Sequence, residues 1–309
     1  MTMSSENTHY RSGYVALIGE PNVGKSTLLN ALLEQKLSIV TNKPQTTRHK
    51  ILGIISGADH QIIFLDTPGI IKPKYLLQEM MMHFASSAVE DADIVLLIVD
   101  ALKAKRKEYD SANDTNDAIN KIKAANKTTF LIVNKIDLLK KEEILPMLVD
   151  VRVMFPFDEI VPISALKSFN TKELVSTIVK YLPDHEPYYD TDIASNAQER
   201  FFVSEIIREK IFEQFAEEVP YSTTVDIVDF KEREERKHWI SADIIVERNS
   251  QKGILIGKQG QALKKLGSTA RRSIEEFIGH PVYLELHVKV RQAWREDKNL
   301  LQRFGYTQE

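Results

Sequence analysis

One eight-residue segment near the amino terminus restricts the fold more than any other part of the chain. Residues 19–26 read Gly-Glu-Pro-Asn-Val-Gly-Lys-Ser, directly after the apolar run Tyr14–Ile18 and directly before a leucine-rich helical stretch. A glycine-rich loop between a strand and a helix lets backbone N–H groups surround phosphates, and the helix adds the positive end of its dipole. The segment therefore predicts a phosphate-binding loop in an α/β domain that binds a nucleoside triphosphate.

Two polar side chains of the predicted loop have expected roles in binding. Lys25 would reach the β and γ phosphates, and Ser26 would reach a magnesium ion. A glycine-rich turn that matches the pattern by chance is the alternative, and the strand before it and the helix after it weigh against that alternative. The nucleotide-binding residues predicted here are Gly19, Glu20, Pro21, Asn22, Val23, Gly24, Lys25, Ser26 and Thr27.

A second motif, Asp66-Thr67-Pro68-Gly69, follows the apolar run Ile62–Leu65. Its aspartate should emerge at the carboxyl end of a strand, which is the edge where ligands bind in open α/β sheets. We expect Asp66 to hold magnesium through a water and the Gly69 N–H to face the γ-phosphate, with Thr67 and Pro68 in the same nucleotide site. A plain turn of turn-forming residues is the alternative interpretation.

A third motif, Asn134-Lys135-Ile136-Asp137, follows the strand predicted over Thr128–Val133 and indicates which base is bound. The Asp137 carboxylate can accept two hydrogen bonds from the guanine N1–H and exocyclic amine, whereas adenine has no such pair of donors. A site built around hydrogen bonds rejects an analogue that lacks them by about 10⁴-fold. The motif therefore predicts guanine, with Asn134 supporting the loop and Lys135 laying its aliphatic stem along the base.

Two weaker segments complete the predicted nucleotide site. Ser164-Ala165 follows the apolar run Ile160–Ile163 and is expected to meet the base, with a simple helix N-cap as the rival interpretation of Ser164. The polar stretch Gln45–His49 is predicted to be a loop that the triphosphate orders, carrying the Thr47 hydroxyl, or failing that Thr46, to magnesium. Without the other motifs, a solvated loop would be the favoured interpretation. The predicted metal ligands are thus Ser26, Thr47 and Asp66.

The chain is too long, at 309 residues, for one ordinary core, and its patterning predicts two domains. Short β-branched runs alternate with helical patterns up to about Leu182, which predicts a mostly parallel sheet with helices on both faces. We expect a polar tail over 1–12, a GTPase domain over 13–182 and a linker over 183–198. The remainder, 199–309, has the order helix, strand, strand, helix, helix, strand.

That second domain contains the turn Gly257-Lys258-Gln259-Gly260 between apolar helical segments. A G-x-x-G turn in this order is the signature of a type II KH module, whose glycine loop approaches nucleic-acid phosphates beside a groove for about four unpaired bases. Every charged residue from Arg248 to Arg272 is basic, which suits single-stranded RNA. The alternatives are a helix–helix turn and a solvated helix face. The RNA-binding residues predicted are Ile254, Ile256, Gly257, Lys258, Gln259, Gly260, Lys264, Lys265 and Arg271.

After the last strand, Trp294, Leu300, Leu301 and Phe304 have the spacing of a closing helix that packs on the domain, with base stacking as the alternative.

Composition excludes few partners. Lys and Arg number 41 against 44 Asp and Glu, so any basic surface is local, and the absence of cysteine excludes disulfides and thiolate metal sites. The polar start lacks a signal peptide, and the longest apolar run, Ile94–Val99, is far shorter than the about 20 residues of a transmembrane helix. We expect a cytoplasmic monomer. Peripheral contact with the inner face of the cell membrane is compatible with the composition but not predicted by it.

The motifs in this order resemble the translation-factor-related GTPases, and nearly the whole chain resembles the Era family. That resemblance implies binding to the 3′ region of 16S ribosomal RNA and a role in maturation of the 30S subunit. We expect the chain to bind GTP and GDP with Mg²⁺ and to hydrolyse GTP slowly on its own. We also predict that GTP promotes RNA binding and that hydrolysis releases the RNA. Ile70 stands where many GTPases carry a glutamine that positions water. Some GTPases of this kind bind K⁺ through an asparagine that matches Asn22, so the catalytic residues implied are Lys25, Thr47, Gly69 and Asn22.

Two functions of other classes stay open at this stage. An ATP-driven enzyme acting on RNA would use the phosphate loop but leave Asp137 without a purpose. An RNA-binding scaffold with a structural nucleotide would show no turnover even with ribosomal subunits present.

Overall fold

The computed structural model describes residues 10–106, 108, 114–153 and 156–307, except for the side chains of 114–118 and 121. The chain divides into two compact units. The first comprises residues up to Ser38, Thr47–Lys72 and Met81–Asn196, and the second comprises Ile39–Thr46, Pro73–Met80 and Ala197–Glu309. Two short segments from the amino-terminal half thus group with the carboxyl-terminal unit.

The first unit is built on a six-stranded sheet in the order β2-β3-β1-β4-β5-β6, in which only β2 is antiparallel to its neighbour. The mostly parallel sheet predicted from the sequence is confirmed. Because the other strands run the same way, their carboxyl ends meet at one edge, where Leu17 pairs with Asp66 and Asp100 pairs with Asn134. The strands are β1 (Arg11–Ile18), β2 (Ile51–Ser56), β3 (His60–Asp66), β4 (Ile94–Asp100), β5 (Thr128–Asn134) and β6 (Glu159–Pro162).

Helices cover both faces of this sheet, which explains why β4 is apolar at nearly every position. Along β4, Val95 faces one core cluster and Leu96 faces the other, and both side chains are fully buried. The helices formed by this part of the chain are α1 (Lys25–Leu33), α2 (Leu76–Asp91), α3 (Ala101–Lys105), α4 (Asp114–Ala125), α5 (Lys141–Val151) and α6 (Thr171–Tyr181). The first turn of α2 belongs to the second unit.

The predicted linker contains no helix or long strand, yet most of it is fixed to the first unit. Ile54 N–H donates to the Ala194 carbonyl at 2.8 Å, and the Gln61 carboxamide oxygen accepts the N–H groups of Tyr188 and Tyr189 at 2.8 and 3.0 Å. The stretch up to Asn196 therefore belongs to the first unit. At the other end of the domain, β1 begins at Arg11, inside the predicted tail, whose residues 1–9 lie outside the described part.

The second unit has a three-stranded sheet, β7-β8-β9, with β7 antiparallel and β9 parallel to β8. Its core lies on one face, where Ile240 and Ile244 of the sheet meet Leu266 and Ala270 of the long helix α9. This is the order predicted for the KH module, and the expected fold is confirmed. Its elements are α7 (Glu199–Gln214), β7 (Thr224–Lys231), β8 (His238–Val246), α8 (Asn249–Ile256), α9 (Gln261–Ile278), β9 (Val282–Val290) and α10 (Lys298–Arg303).

The carboxyl-terminal segment packs on this unit, as the spacing of its apolar residues predicted. Trp294 is fully buried, its indole N–H donates to the Ser222 carbonyl at 2.9 Å, and Phe304 meets its ring edge to face. Base stacking by Trp294, the alternative, is wrong because the ring is inaccessible. Among the helices of the described residues, none has the length and apolar character needed to cross a bilayer.

Candidate nucleotide and RNA sites

Two glycines of the phosphate loop occupy positions that no other residue fits. Gly19 has φ +154° and a Cβ there would lie 2.3 Å from the Ile98 carbonyl oxygen. Gly24, the residue before α1, has φ +100° and a Cβ there would lie 2.3 Å from the Asn134 side-chain nitrogen. Both positive φ values and both contacts exclude a side chain. The backbone is thereby shaped as a phosphate loop requires.

Lys25 begins α1 and is buried, with 6% of its surface exposed. Its Nζ donates to the carbonyls of Gly19 at 2.9 Å and Glu20 at 3.0 Å. Burial lowers the pKa of this amine to about 8, although the negative charges of Asp66 and Glu20 act in the opposite direction. An anion placed in the loop would favour the charged form, so the site is suited to phosphate.

Three predicted metal ligands lie together. Ser26 Oγ is 2.8 Å from Thr47 Oγ1 and donates to Asp66 Oδ2 at 2.7 Å. Asp66 is fully buried; burial raises the pKa of its carboxyl, and the hydrogen bond from Ser26 and the charge of Lys25 oppose that rise.

This group of side chains fits a magnesium ion. Asp66 Oδ1 is buried without a hydrogen-bond partner among the described residues. Such an oxygen needs a cation or a donor. One carboxylate and two hydroxyls are what Mg²⁺ uses when phosphates supply other ligands.

The Asp66–Gly69 loop closes against the phosphate loop. Thr67 Oγ1 donates to the Leu17 carbonyl at 2.7 Å, and a Cβ on Gly69 would come within 2.7 Å of the Pro21 backbone. Ile70 N–H donates to the Gly19 carbonyl at 3.1 Å, while the Ile70 side chain packs on the core. Pro68 is buried beside them in the chain. The Ile70 side chain therefore takes no polar part in the site.

Asn134 joins three loops of the site and is 2% exposed. Its Nδ2 donates to the Val23 carbonyl at 2.8 Å, and its Oδ1 accepts from Lys135 N at 2.8 Å and from Ala165 N at 2.9 Å. The structure thus brings the phosphate loop, the base-reading motif and the Ser164-Ala165 segment onto one carboxamide. Val23 is itself buried.

Lys135 and Asp137 are positioned differently. Lys135 Nζ donates to the Asn22 carbonyl at 2.7 Å and pairs with Asp100 at 2.8 Å, which stretches the lysine stem across the site. Asp137 lies in the short 3₁₀ turn Ile136–Leu138, with its carboxylate exposed. An exposed carboxylate at this edge is free to accept hydrogen bonds from a base.

Ser164 is buried, and its Oγ accepts from Lys167 N at 3.2 Å within a turn. The next helix, α6, begins only at Thr171. The helix N-cap interpretation of Ser164 is therefore wrong.

Sequence reasoning missed Ser38 and Asp100. Ser38 is 1% exposed and lies close enough to Asp66 to lower that carboxyl's pKa. No motif contains Ser38, so no pattern could have identified it. Asp100 is the last residue of β4 and lies directly opposite Asn134 in the register. A carboxylate at the end of a buried strand is a pattern from which this site residue could have been predicted.

The carboxyl-terminal unit carries a groove of about 510 Å³ between α9 and the edge strand β9. Gly257 and Gly260 have φ of +69° and +76°, and Lys258 and Gln259 between them are exposed. The turn therefore presents its backbone and two polar side chains at one end of the groove. The groove is lined by Gly260, Leu263, Lys264, Gly267, Ser268, Arg271, Leu284 and Leu286.

The predicted RNA-binding residues do not all reach this groove. Lys264 and Arg271 line it, since they lie seven residues apart on one face of α9, whereas Lys265 is exposed outside the lining. Ile254 is exposed before the turn, and Ile256 packs on the core. The packing of α9 on β9 forms the groove, and the prediction missed five of its lining residues: Leu263, Gly267, Ser268, Leu284 and Leu286.

Comparisons with known proteins agree with this division of the chain. The family described as "50S ribosome-binding GTPase" matches residues 14–135, and the KH domain family matches residues 218–295. The GTPase Era of Clostridium kluyveri is 45% identical over 96% of this chain and 99% of its own length. The chloroplastic GTPase ERA-like protein of Arabidopsis thaliana is 46% identical over 97% of this chain and 70% of its own.

Two solved structures are similar over the same extent. An Aquifex aeolicus Era variant bound to GDP and AlF4⁻ has a TM-score of 0.91 and 43% identity, covering 96% of this chain and all of its own. An Era bound to MgGDPNP and nucleotides 1506–1542 of 16S ribosomal RNA has a TM-score of 0.91 and 42% identity, covering 97% of this chain and all of its own.

Proposed function

The chain belongs to the Era family of GTPases, and on that premise we propose that it is a GTP-dependent switch that binds 16S ribosomal RNA near its 3′ end and assists maturation of the 30S subunit. The observation that carries the proposal is the meeting of the phosphate, metal and base-reading loops at one sheet edge, joined by Asn134. The Era structure that holds MgGDPNP with 16S nucleotides 1506–1542 supports the choice of RNA.

In this proposal Ser26, Thr47 and Asp66 hold Mg²⁺, which supplies positive charge at the phosphate oxygens. Lys25 turns from the Gly19 and Glu20 carbonyls to the β and γ phosphates, exchanging two neutral acceptors for charged ones. The Gly69 N–H faces the γ-phosphate. GTP therefore gains contacts at Thr47 and Gly69 that GDP lacks, and this difference is what a switch requires.

Asp137 reads guanine in this proposal, and Asn134 keeps its loop in register with the phosphate loop. Competition of labelled GTP by unlabelled GTP and by ATP separates this site from that of an ATP-driven enzyme. We expect ATP to compete at least about a thousandfold more weakly. Equal competition would refute the assignment of Asp137.

Ile70 stands where other GTPases carry the glutamine that positions water. To K⁺ held near Asn22 we assign the positive charge that an arginine finger supplies in other GTPases. The Asn22 backbone has φ +63° and its carbonyl is fixed by Lys135, which places this residue at the rim of the phosphate loop. Turnover should be several-fold faster in KCl than in NaCl at equal ionic strength. Identical rates in the two salts would exclude K⁺ and leave the GTPase assignment intact.

RNA binds in the α9–β9 groove in this proposal, with phosphates at the Gly257–Gly260 turn. The neighbouring lysines Lys264 and Lys265 provide a matched pair, because only the first lines the groove. With an RNA of nucleotides 1506–1542, Lys264→Ala should weaken binding about tenfold and Lys265→Ala about twofold, since both remove a positive charge but only one removes a direct contact. Equal losses of RNA affinity in the two variants would mean that Lys264 makes no direct contact and that the two lysines act only through their positive charge.

Coupling is tested with the same RNA in the presence of GDP or GDPNP. Tighter RNA binding with GDPNP supports the switch, and equal binding refutes it. GTP turnover in the presence of 30S subunits supports the switch, whereas no turnover there would indicate a scaffold that only holds a nucleotide.

We also propose that the chain acts in the cytoplasm as a monomer, whose membrane contact, if any, is peripheral. Light scattering, with about 35 kDa expected for a single chain, tests the monomeric state, and flotation with anionic liposomes tests the membrane contact.

A further inference from the structure

The groove between α9 and β9 has a second end, away from the glycine turn. A Cβ on Gly267 would lie 3.6 Å from the Leu286 side chain, and farther along α9 the Glu275 carboxylate accepts the Val282 N–H at 3.0 Å. The helix and the strand therefore run in opposite directions. Arg271 lies on α9 midway between these two contacts and lines the groove. The glycine turn thus marks one end of the groove, and Arg271 marks the end at the start of β9.

Arg271 has a hydrogen-bond donor available at this end. Its Nε is buried and has no hydrogen-bond partner within the described part of the chain, although the side chain as a whole is only half-buried. Arginine carries five N–H donors and keeps its charge. A buried donor without a partner costs free energy until a ligand accepts from it. A phosphate or a base carbonyl at this end of the groove would supply that acceptor.

Tyr283 lies at the same end, on the opposite face of β9 from the groove lining. Its neighbour Leu284 lines the groove, and successive side chains of a strand point to opposite faces. The Tyr283 residue is 51% exposed. Because β9 is an edge strand of the sheet, a nucleic-acid chain that leaves the groove at Arg271 has only one strand edge to pass before it reaches this ring.

The Tyr283 ring belongs to a row of three stacked planar groups that crosses the sheet. Trp239 is its register partner on β8, and the two rings stack with centroids 4.7 Å apart and an interplanar angle of 16°. The Arg233 guanidinium lies 5.9 Å from the centroid of the Trp239 ring, within the range of a cation–π contact. The Arg233 N–H donates to His238 Nδ1 at 3.0 Å, which holds the turn between β7 and β8. The Tyr283 ring is therefore supported on one side, and a base that stacks on it restricts little further motion.

We propose that Tyr283 and Arg271 form a stacking subsite for one unpaired nucleotide beyond the roughly four that a KH groove holds. The base stacks on the Tyr283 ring, and the backbone that leads to it accepts hydrogen bonds from Arg271. The occupant is RNA because the subsite continues the groove of the KH domain. This inference rests on the proposed binding of RNA in the groove and lengthens the bound segment by one nucleotide.

The test measures the affinity of the full-length protein, with GDPNP present, for an RNA of nucleotides 1506–1542. Tyr283→Ala should weaken binding about five- to tenfold because it removes a stacking surface, whereas Tyr283→Phe keeps the ring and should bind within about twofold of the native protein. Arg271→Lys keeps the charge but loses the planar fork and should weaken binding about threefold. His287→Ala is the matched control, because it removes another exposed ring from the same face of β9. It should change the affinity less than about twofold.

Abasic substitutions in the RNA distinguish stacking from a structural role of Tyr283. A cross-strand aromatic pair also stabilises a sheet, so a structural role predicts that Tyr283→Ala lowers the affinity for every RNA by the same factor. Stacking predicts a different result when the unpaired bases are removed one at a time. At one position the base should contribute to the affinity of the native protein and contribute nothing to that of Tyr283→Ala. The same factor at every position would refute the subsite.

The groove variant Lys264→Ala separates this inference from the proposed function. If Lys264→Ala weakens RNA binding and Tyr283→Ala does not, the subsite is refuted and the groove stands. If neither variant weakens it, the proposed RNA site itself fails. Equal losses in Tyr283→Ala and His287→Ala would refute a defined subsite. If Tyr283→Ala lowers the affinity for 30S subunits but not for the RNA, the ring contacts a ribosomal protein and the proposal is overturned.

Discussion

Replacing Lys25 by methionine should stabilise the nucleotide-free protein while it abolishes nucleotide binding. Lys25 is charged at neutral pH, yet its amine is buried against the Gly19 and Glu20 carbonyls. Methionine has a similar volume and no charge to desolvate. Lys25 therefore destabilises the nucleotide-free protein, although the phosphates of a bound nucleotide require it.

The pKa of Lys25 gives the size and pH range of this effect. A fall from 10.5 to about 8 corresponds to roughly 3 kcal/mol, at about 1.4 kcal/mol for each tenfold change in acidity. The attraction of Asp66 and Glu20 is already contained in this pKa, and loss of the two hydrogen bonds offsets about 1–2 kcal/mol, so we expect a net gain of about 1–2 kcal/mol at pH 7. Above pH 8 the folded protein releases the proton and the unfolded chain keeps it, so the cost shrinks as pH rises and disappears above 10.5.

The assay must follow the first unit, and both tryptophans, Trp239 and Trp294, lie in the second. Hydrogen exchange in peptides from β1, β4 and β5, measured in EDTA without nucleotide, reports the free energy of unfolding of the correct unit. Lys172→Met, on exposed α6 surface, controls for the loss of a lysine. The reasoning is refuted if Lys25→Met exchanges faster than the native protein at pH 7, or if its advantage is the same at pH 7 and pH 9.5.

Two further substitutions test the geometry of the site. Gly24→Ala should destabilise the first unit by about 2–4 kcal/mol and weaken GTP binding at least tenfold, because its Cβ would lie 2.3 Å from Asn134 Nδ2 at φ +100°. Gly253→Ala in α8 is the control, since a Cβ there meets nothing within 4 Å; in urea unfolding it should be neutral or stabilising by about 0.5–1 kcal/mol. Asp137→Asn should weaken GTP at least a hundredfold in calorimetry and leave ATP within threefold, since only guanine has the donor pair that the carboxylate accepts; a parallel loss of both nucleotides would mean that Asp137 supports the fold instead of reading the base.

The nucleotide site was largely predictable because phosphate and guanine chemistry require particular residues at short spacing. The sequence motifs and the alternation of strands with helices predicted that their loops meet at one sheet edge. Ser38 was not predictable, because its proximity to Asp66 depends on the path of a loop with no repeating pattern. Lys264 and Arg271 of the groove were predictable from their positive charge. Its uncharged lining was not, since Leu284 and Leu286, for example, belong to an ordinary apolar strand in the sequence.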